Sequence, residues 1–257
     1  MSPTRTVTFI SVGVSALTLL LPASMQLHIE LVLEAFLASI MIGAALVFLT
    51  SLGGFTPKLR LAYTFIALGI VLYALGLVQL PVLEFISQFK TPYVTYGGIN
   101  IVYIVSALLI VIGGCRYTRL VQAHTLAAEP LVILAFILLN VAVLINMPHA
   151  TIGEFYPSLL ALRANVGMAT TQAALLFLAC WQIAVIKQNT GPAYTNALAW
   201  TLLGLGALAL ATYTTVYFQL VGFNNIIINS GLFFLPFIVG AFCNLKGAVS
   251  FSSIVRY

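Results

Sequence analysis

A polytopic bundle of transmembrane α-helices is the fold class this sequence predicts. Three observations predict it: the scarcity of charge, the length of the apolar runs, and the places where basic residues fall. Only 6% of the 257 residues are charged and 62% are hydrophobic, against about 25% charged in a soluble domain. A surface so poor in charge has lipid as its natural solvent. In lipid an unpaired backbone group costs several kcal/mol, so only helices and closed barrels span. The runs are continuous rather than alternating with period two, which excludes barrel strands.

A span needs about 20 apolar residues. Eight runs meet that requirement: 7–25, 29–51, 59–85, 97–117, 129–147, 157–186, 193–220 and 226–247. Helix-breaking residues mark the junctions: Gly53, Gly54 and Pro57, then Gly97 and Gly98, then Gly191 and Pro192. The first run also has the form of a secretory signal peptide, with Arg5 ahead of it. Pro22-Ala23-Ser24-Met25 is a poor cleavage site, so the run is expected to remain as a span.

Basic residues set the expected orientation. Arg5, Lys58, Arg60, Arg116, Arg119, Lys187, Lys246 and Arg256 all fall on one side of an eight-span chain. That side is expected to be cytoplasmic, with both termini there and the protein in the cell membrane. Lys90 lies on the other side and Arg163 within the sixth span. Trp181 and Trp200 come out near the inner interface, where indole rings prefer to sit. The net charge of +5 therefore reports topology and gives no sign of nucleic-acid binding.

The two halves resemble one another. Ala44-Ala45-Leu46-Val47-Phe48-Leu49 matches Ala173-Ala174-Leu175-Leu176-Phe177-Leu178, and Ile110-Val111 with Cys115 matches Ile238-Val239 with Cys243. Val78-Gln79-Leu80 has a counterpart in Phe218-Gln219-Leu220, and Met25 with His28 in Met147 with His149. The expected organisation is a tandem repeat of four helices each, 1–122 and 123–257, within one membrane domain. Four is even, so the copies are parallel and related by an axis along the membrane normal.

That alignment makes Glu34 and Arg163 equivalent, each ten residues ahead of its alanine pair. Both lie inside spans, roughly 6–10 Å from the outer end at 1.5 Å per residue. Intramembrane charges usually face the bundle and find partners, so the pair is expected at the repeat interface. It is read there as a gate or binding element, against the plainer alternative of a structural ion pair. Asn165 and Gln172 continue the polar face of the sixth span, and Glu30 adds acidity at the outer end. Glu84, Glu154, Tyr93, Tyr96, Asn100, Asn224, Asn225 and Asn229 also fall in the outer half and extend this polar vestibule.

Catalytic and cofactor chemistry find no constellation. The chain has no aspartate. His28, His124 and His149 lack metal-site spacing, and Ser39 and Ser106 have no histidine or lysine base at their depth. Cys115, Cys180 and Cys243 sit toward inner helix ends, where they are expected to pack as small apolar residues. No metal and no cofactor are expected. The first functional expectation is a non-enzymatic carrier or channel for a small polar or cationic solute, with its route along the repeat interface. The alternative is an accessory membrane subunit or sensor module acting through a partner membrane protein or as a homo-oligomer.

Overall fold

The structure is a computed structural model that describes residues 23–86, 92–121, 159–188, 190–221 and 226–255, with residues 131, 134, 135 and 138. Side chains are described over 35–77, 101–121, most of 164–212, and 235–254. The described residues form six long α-helices and no strand: α1 Ala23–Ser51, α2 Pro57–Ile86, α3 Pro92–Leu120, α4 Leu159–Gln188, α5 Pro192–Val221 and α6 Ile226–Val255. Each corresponds to one expected span. The expected first span lies outside the described residues up to Ala23, where α1 begins. Of the expected fifth span, residues 131, 134, 135 and 138 are helical and exposed.

Local chemistry explains the junctions. Three helices open on proline, at Pro57, Pro92 and Pro192, a position where the missing N–H is no loss and φ is already helical. Between α1 and α2 lies a 3-10 turn, Leu52–Gly54. Arg60 folds back over it, donating from Nε to the Leu52 carbonyl at 3.2 Å and from Nη2 to those of Gly53 and Phe55 at 3.4 Å. One guanidinium thus satisfies carbonyls that the end of α1 leaves open.

The helices form a closed ring. Each packs on its neighbours in sequence, and α6 closes the circle on α1. Two contacts fix directions. Gln182 of α4 bonds to Cys115 of α3, and Phe48 of α1 meets Phe251 of α6 with ring centroids 5.5 Å apart. All four residues lie near the C-terminal ends of their helices, so α3 with α4 and α6 with α1 are parallel neighbours. The short junctions make the other neighbours antiparallel. One end of the bundle therefore collects Lys58 and Arg60 of α2, Arg116 and Arg119 of α3, Lys187 of α4, and Lys246 of α6.

Small residues bring the hairpins together. A Cβ on Gly113 would stand 2.7 Å from the Ala62 carbonyl oxygen, and one on Gly69 at 2.7 Å from that of Ser106. The Ser106 hydroxyl donates to the Gly69 carbonyl at 2.7 Å, stitching α2 to α3. In the α5–α6 pair a Cβ on Gly240 would lie 3.2 Å from the Gly204 carbonyl oxygen, and one on Gly247 at 3.3 Å from that of Ala197. Apolar side chains attract one another little in lipid, so close backbone approach and its dispersion contacts supply the adhesion.

Away from the ring, leucine-rich stripes face outward. Leu61, Leu68 and Leu75 line α2; Ile101, Val105, Leu108 and Ile112 line α3; Leu203 and Leu210 line α5; Leu235, Val239 and Val249 line α6. Such continuous apolar stripes on an outer surface mark a membrane interaction site. All six helices are long and apolar enough to cross a bilayer. The chain is a multi-helix membrane protein.

Candidate functional site

The ring's interior is where polar and aromatic side chains meet. α2 and α5 are not neighbours in the ring, so groups that join them must cross its middle. Tyr73 of α2 does so, its buried side chain lying close enough to Thr212 of α5 and Gln172 of α4 to interact with both. Gln172 Nε2 in turn donates to Thr212 Oγ1 at 3.3 Å, and the Thr212 hydroxyl donates to its own helix at the Leu208 carbonyl, 3.0 Å away. Tyr73, Gln172 and Thr212 are 1%, 3% and 6% exposed. Three helices are thereby tied by a small network of hydroxyls and one amide. The Tyr73 ring is braced from α3 by Tyr103, with centroids 4.9 Å apart.

A second layer lies ten residues earlier on α2, about 15 Å along the axis toward the basic end. Its hub is Tyr63. The Tyr63 ring meets Phe251 of α6 at 5.0 Å, Phe55 at 5.1 Å, Tyr117 of α3 at 5.2 Å and Phe48 of α1 at 6.3 Å. Tyr194 of α5 joins through Phe251 at 6.1 Å. Rings from five helices and one turn thus fill the bundle at this level. The Tyr63 hydroxyl is buried and has no hydrogen-bond partner, although the hydroxyls of Tyr117 and Tyr194 are close enough to interact with it electrostatically.

Among the described residues two more buried polar atoms lack partners: Gln182 Oε1 and Asn244 Oδ1. Gln182 is fully buried between α4 and α3, where its Nε2 donates to Cys115 Sγ at 2.9 Å. Asn244 is fully buried between α6 and α5, and its Nδ2 donates to the Gly240 carbonyl at 2.9 Å. Buried polar atoms are rarely left unpaired, and each marks a place with unused capacity to bind.

The structure brings only part of the expected site into this core. Gln172 is in the Tyr73 layer. Glu30 and Glu34 lie on α1, and Arg163 and Asn165 on α4, but the side chains of these four are outside the described residues. α1 and α4 are not adjacent in the ring. Sequence reasoning missed Tyr63 and Tyr73, which it had no cause to separate from interfacial tyrosines. The available signal was position: Tyr73 falls mid-span, away from either belt. It also read Cys115 as packing alone, whereas Cys115 accepts the Gln182 bond. Among the described residues no group of three His, Cys, Asp or Glu gathers to hold a metal ion.

Comparisons with protein-family models, curated proteins and solved structures return no match.

Proposed function

We propose that this chain is a non-enzymatic carrier for a small polar or cationic solute, with its route along the axis of the helical ring. The observation that carries the reading is the meeting of Tyr73, Gln172 and Thr212 in the middle of the ring, where buried polar groups of α2, α4 and α5 come together. Polar groups placed in a membrane interior are expensive and mark solute pathways in transport proteins. In this reading the aromatic layer around Tyr63 is the closure at the basic end. Glu30, Glu34, Arg163 and Asn165 contribute charge and polarity to the opposite part of the route. The buried hydroxyls of Ser106 and Thr170 donate to backbone carbonyls, which ties them to helix packing.

We further propose eight spans in two parallel repeats, with the basic end and both termini cytoplasmic. The helix bounds support this. Residue 135 positions after the start of α2 is the start of α5, and the same interval joins Ile86 to Val221 and Leu120 to Val255. At that interval Gly69 corresponds to Gly204, Ala62 to Ala197 and Pro57 to Pro192, and the first two pairs serve the same close helix contacts. The interval pairs Glu34 with Ala169 rather than Arg163. This register makes the two charges independent contributors instead of repeat equivalents. Because α3 and α4 are parallel, the chain must also recross the bundle between Leu120 and Leu159, where an additional span is proposed. The positive basic end would then face the cytoplasm.

The test is stopped-flow light scattering on proteoliposomes in gradients of glycerol or choline chloride. Wild-type protein is expected to pass at least one probe faster than empty liposomes. Tyr73→Phe, which keeps the ring and removes the hydroxyl, is expected to slow that passage about tenfold. Passage of both probes at the empty-liposome rate, with a partner membrane protein co-purifying, would replace the carrier by an accessory subunit.

A further inference from the structure

Two cations on the outer surface stand over aromatic rings at the basic end. Lys246 of α6 places Nζ 3.6 Å from the ring centroid of Trp200 on α5. Arg116 of α3 places its guanidinium carbon 5.3 Å from the ring centroid of Phe65 on α2. Phe65 and Trp200 are 135 positions apart, so each hairpin carries one aromatic ring at the corresponding place, covered by a cation from its second helix.

These cations continue the outward-facing apolar stripes. Arg116 follows Val105, Leu108 and Ile112 at helical spacing on α3, and Phe65 lies between Leu61 and Leu68 on α2. Lys246 follows Leu235 and Val239 on α6, while Trp200 precedes Leu203 and Leu210 on α5. Both cations are exposed. Among the described residues neither has a carboxylate partner, and no residue with a described side chain is acidic.

We infer that each hairpin, α2–α3 and α5–α6, holds one anionic phospholipid. Its phosphate sits on the Lys246 or Arg116 cation, and its acyl chains lie along the leucine stripes. The aromatic ring beneath fixes the cation by cation–π attraction, so less side-chain freedom is lost when the headgroup arrives. Charge complementarity selects the occupant: the cations invite an anionic headgroup, and the stripes require it to carry chains. Lys58, Arg60, Arg119 and Lys187 at the same end add a diffuse positive field that favours an anionic leaflet. This inference does not rest on the carrier reading.

Trp200 makes the α5–α6 site directly observable, since the chain has only one other tryptophan, Trp181. In a Trp181→Phe background, brominated phosphatidylglycerol and brominated phosphatidylcholine are titrated into mixed micelles and Trp200 quenching is followed. Phosphatidylglycerol is expected to quench at least fivefold more tightly. Lys246→Gln is expected to erase the difference and Lys246→Arg to retain it. Inorganic phosphate is not expected to compete, because it lacks chains. Equal quenching by the two lipids in the parent, or an undiminished preference in Lys246→Gln, overturns the inference. So does full competition by phosphate.

Discussion

Gly113→Leu is expected to destabilise the bundle by about 3 kcal/mol, in the upper part of the range for overpacked cores. A Cβ alone at this position would lie 2.7 Å from the Ala62 carbonyl oxygen and 3.1 Å from the Ile66 backbone nitrogen. Backbone atoms cannot swing aside as a side-chain tip does, so α2 and α3 must separate along their length. Separation also lengthens the Ser106–Gly69 hydrogen bond, now 2.7 Å. The control is Gly43→Ala on α1, where a Cβ meets nothing within 4 Å. There alanine is expected to stabilise by up to about 1 kcal/mol, because glycine is the poorer helix former. An SDS titration in mixed micelles, followed by tryptophan fluorescence, measures both. Equal and small effects would mean that the α2–α3 contact is looser than described.

Tyr63→Ala is expected to be as severe. The ring touches four others, so its loss leaves a hole at a level where side chains from α1, α2, α3, α5 and α6 converge. Truncating a large buried aromatic typically costs about 3–5 kcal/mol. Tyr63→Phe is the informative companion. The hydroxyl is buried and unpaired, so removing it sacrifices no bond and relieves a desolvated polar group. Stability is expected to hold or rise by about 1 kcal/mol. A clear loss in Tyr63→Phe, measured by the same titration, would show that the hydroxyl has a partner. In the carrier reading Tyr63→Ala also leaks at the basic end, whereas Tyr63→Phe stays closed.

Much of the fold was legible because membrane helices announce themselves by length and apolarity. The expected span 59–85 lies within α2, Pro57–Ile86, and 193–220 within α5, Pro192–Val221; proline at the first helical turn sharpened both boundaries. Ends set by polar residues were harder to place. α1 starts at Ala23 rather than 29, carrying His28 and Glu30 in its first turns, and α6 runs to Val255 rather than 247. The apolar criterion locates hydrocarbon, but backbone hydrogen bonds continue through the interface. Side chains add to them there: the Ser253 hydroxyl donates to the Ser250 carbonyl at 2.7 Å inside the last turns of α6.

The interior was less legible. Charge drew the eye to Glu34 and Arg163, since charge is the rarest commodity in such a sequence. The crossing at Tyr73 uses only neutral groups, which composition does not distinguish from ordinary interhelical bonding. The short apolar matches used to align the halves, such as Cys115 with Cys243, carry no information on which residues touch across helices. The close glycine contacts place Gly113 beside Ala62 and Gly247 beside Ala197. Pairing depends on which residues touch across helices, and similar apolar strings recur too often to reveal it.

Closure of the ring by parallel α1 and α6 is the central feature of the bundle, because it brings the basic ends together. Disulfide formation in native membranes tests it, in a background with Cys115, Cys180 and Cys243 replaced by alanine. The Phe48→Cys/Phe251→Cys pair is expected to cross-link rapidly, since these rings lie 5.5 Å apart. The Phe48→Cys/Leu235→Cys pair, at opposite ends of the bundle, is expected not to. Cross-linking of the second pair and not the first would make α6 antiparallel to α1 and contradict the ring.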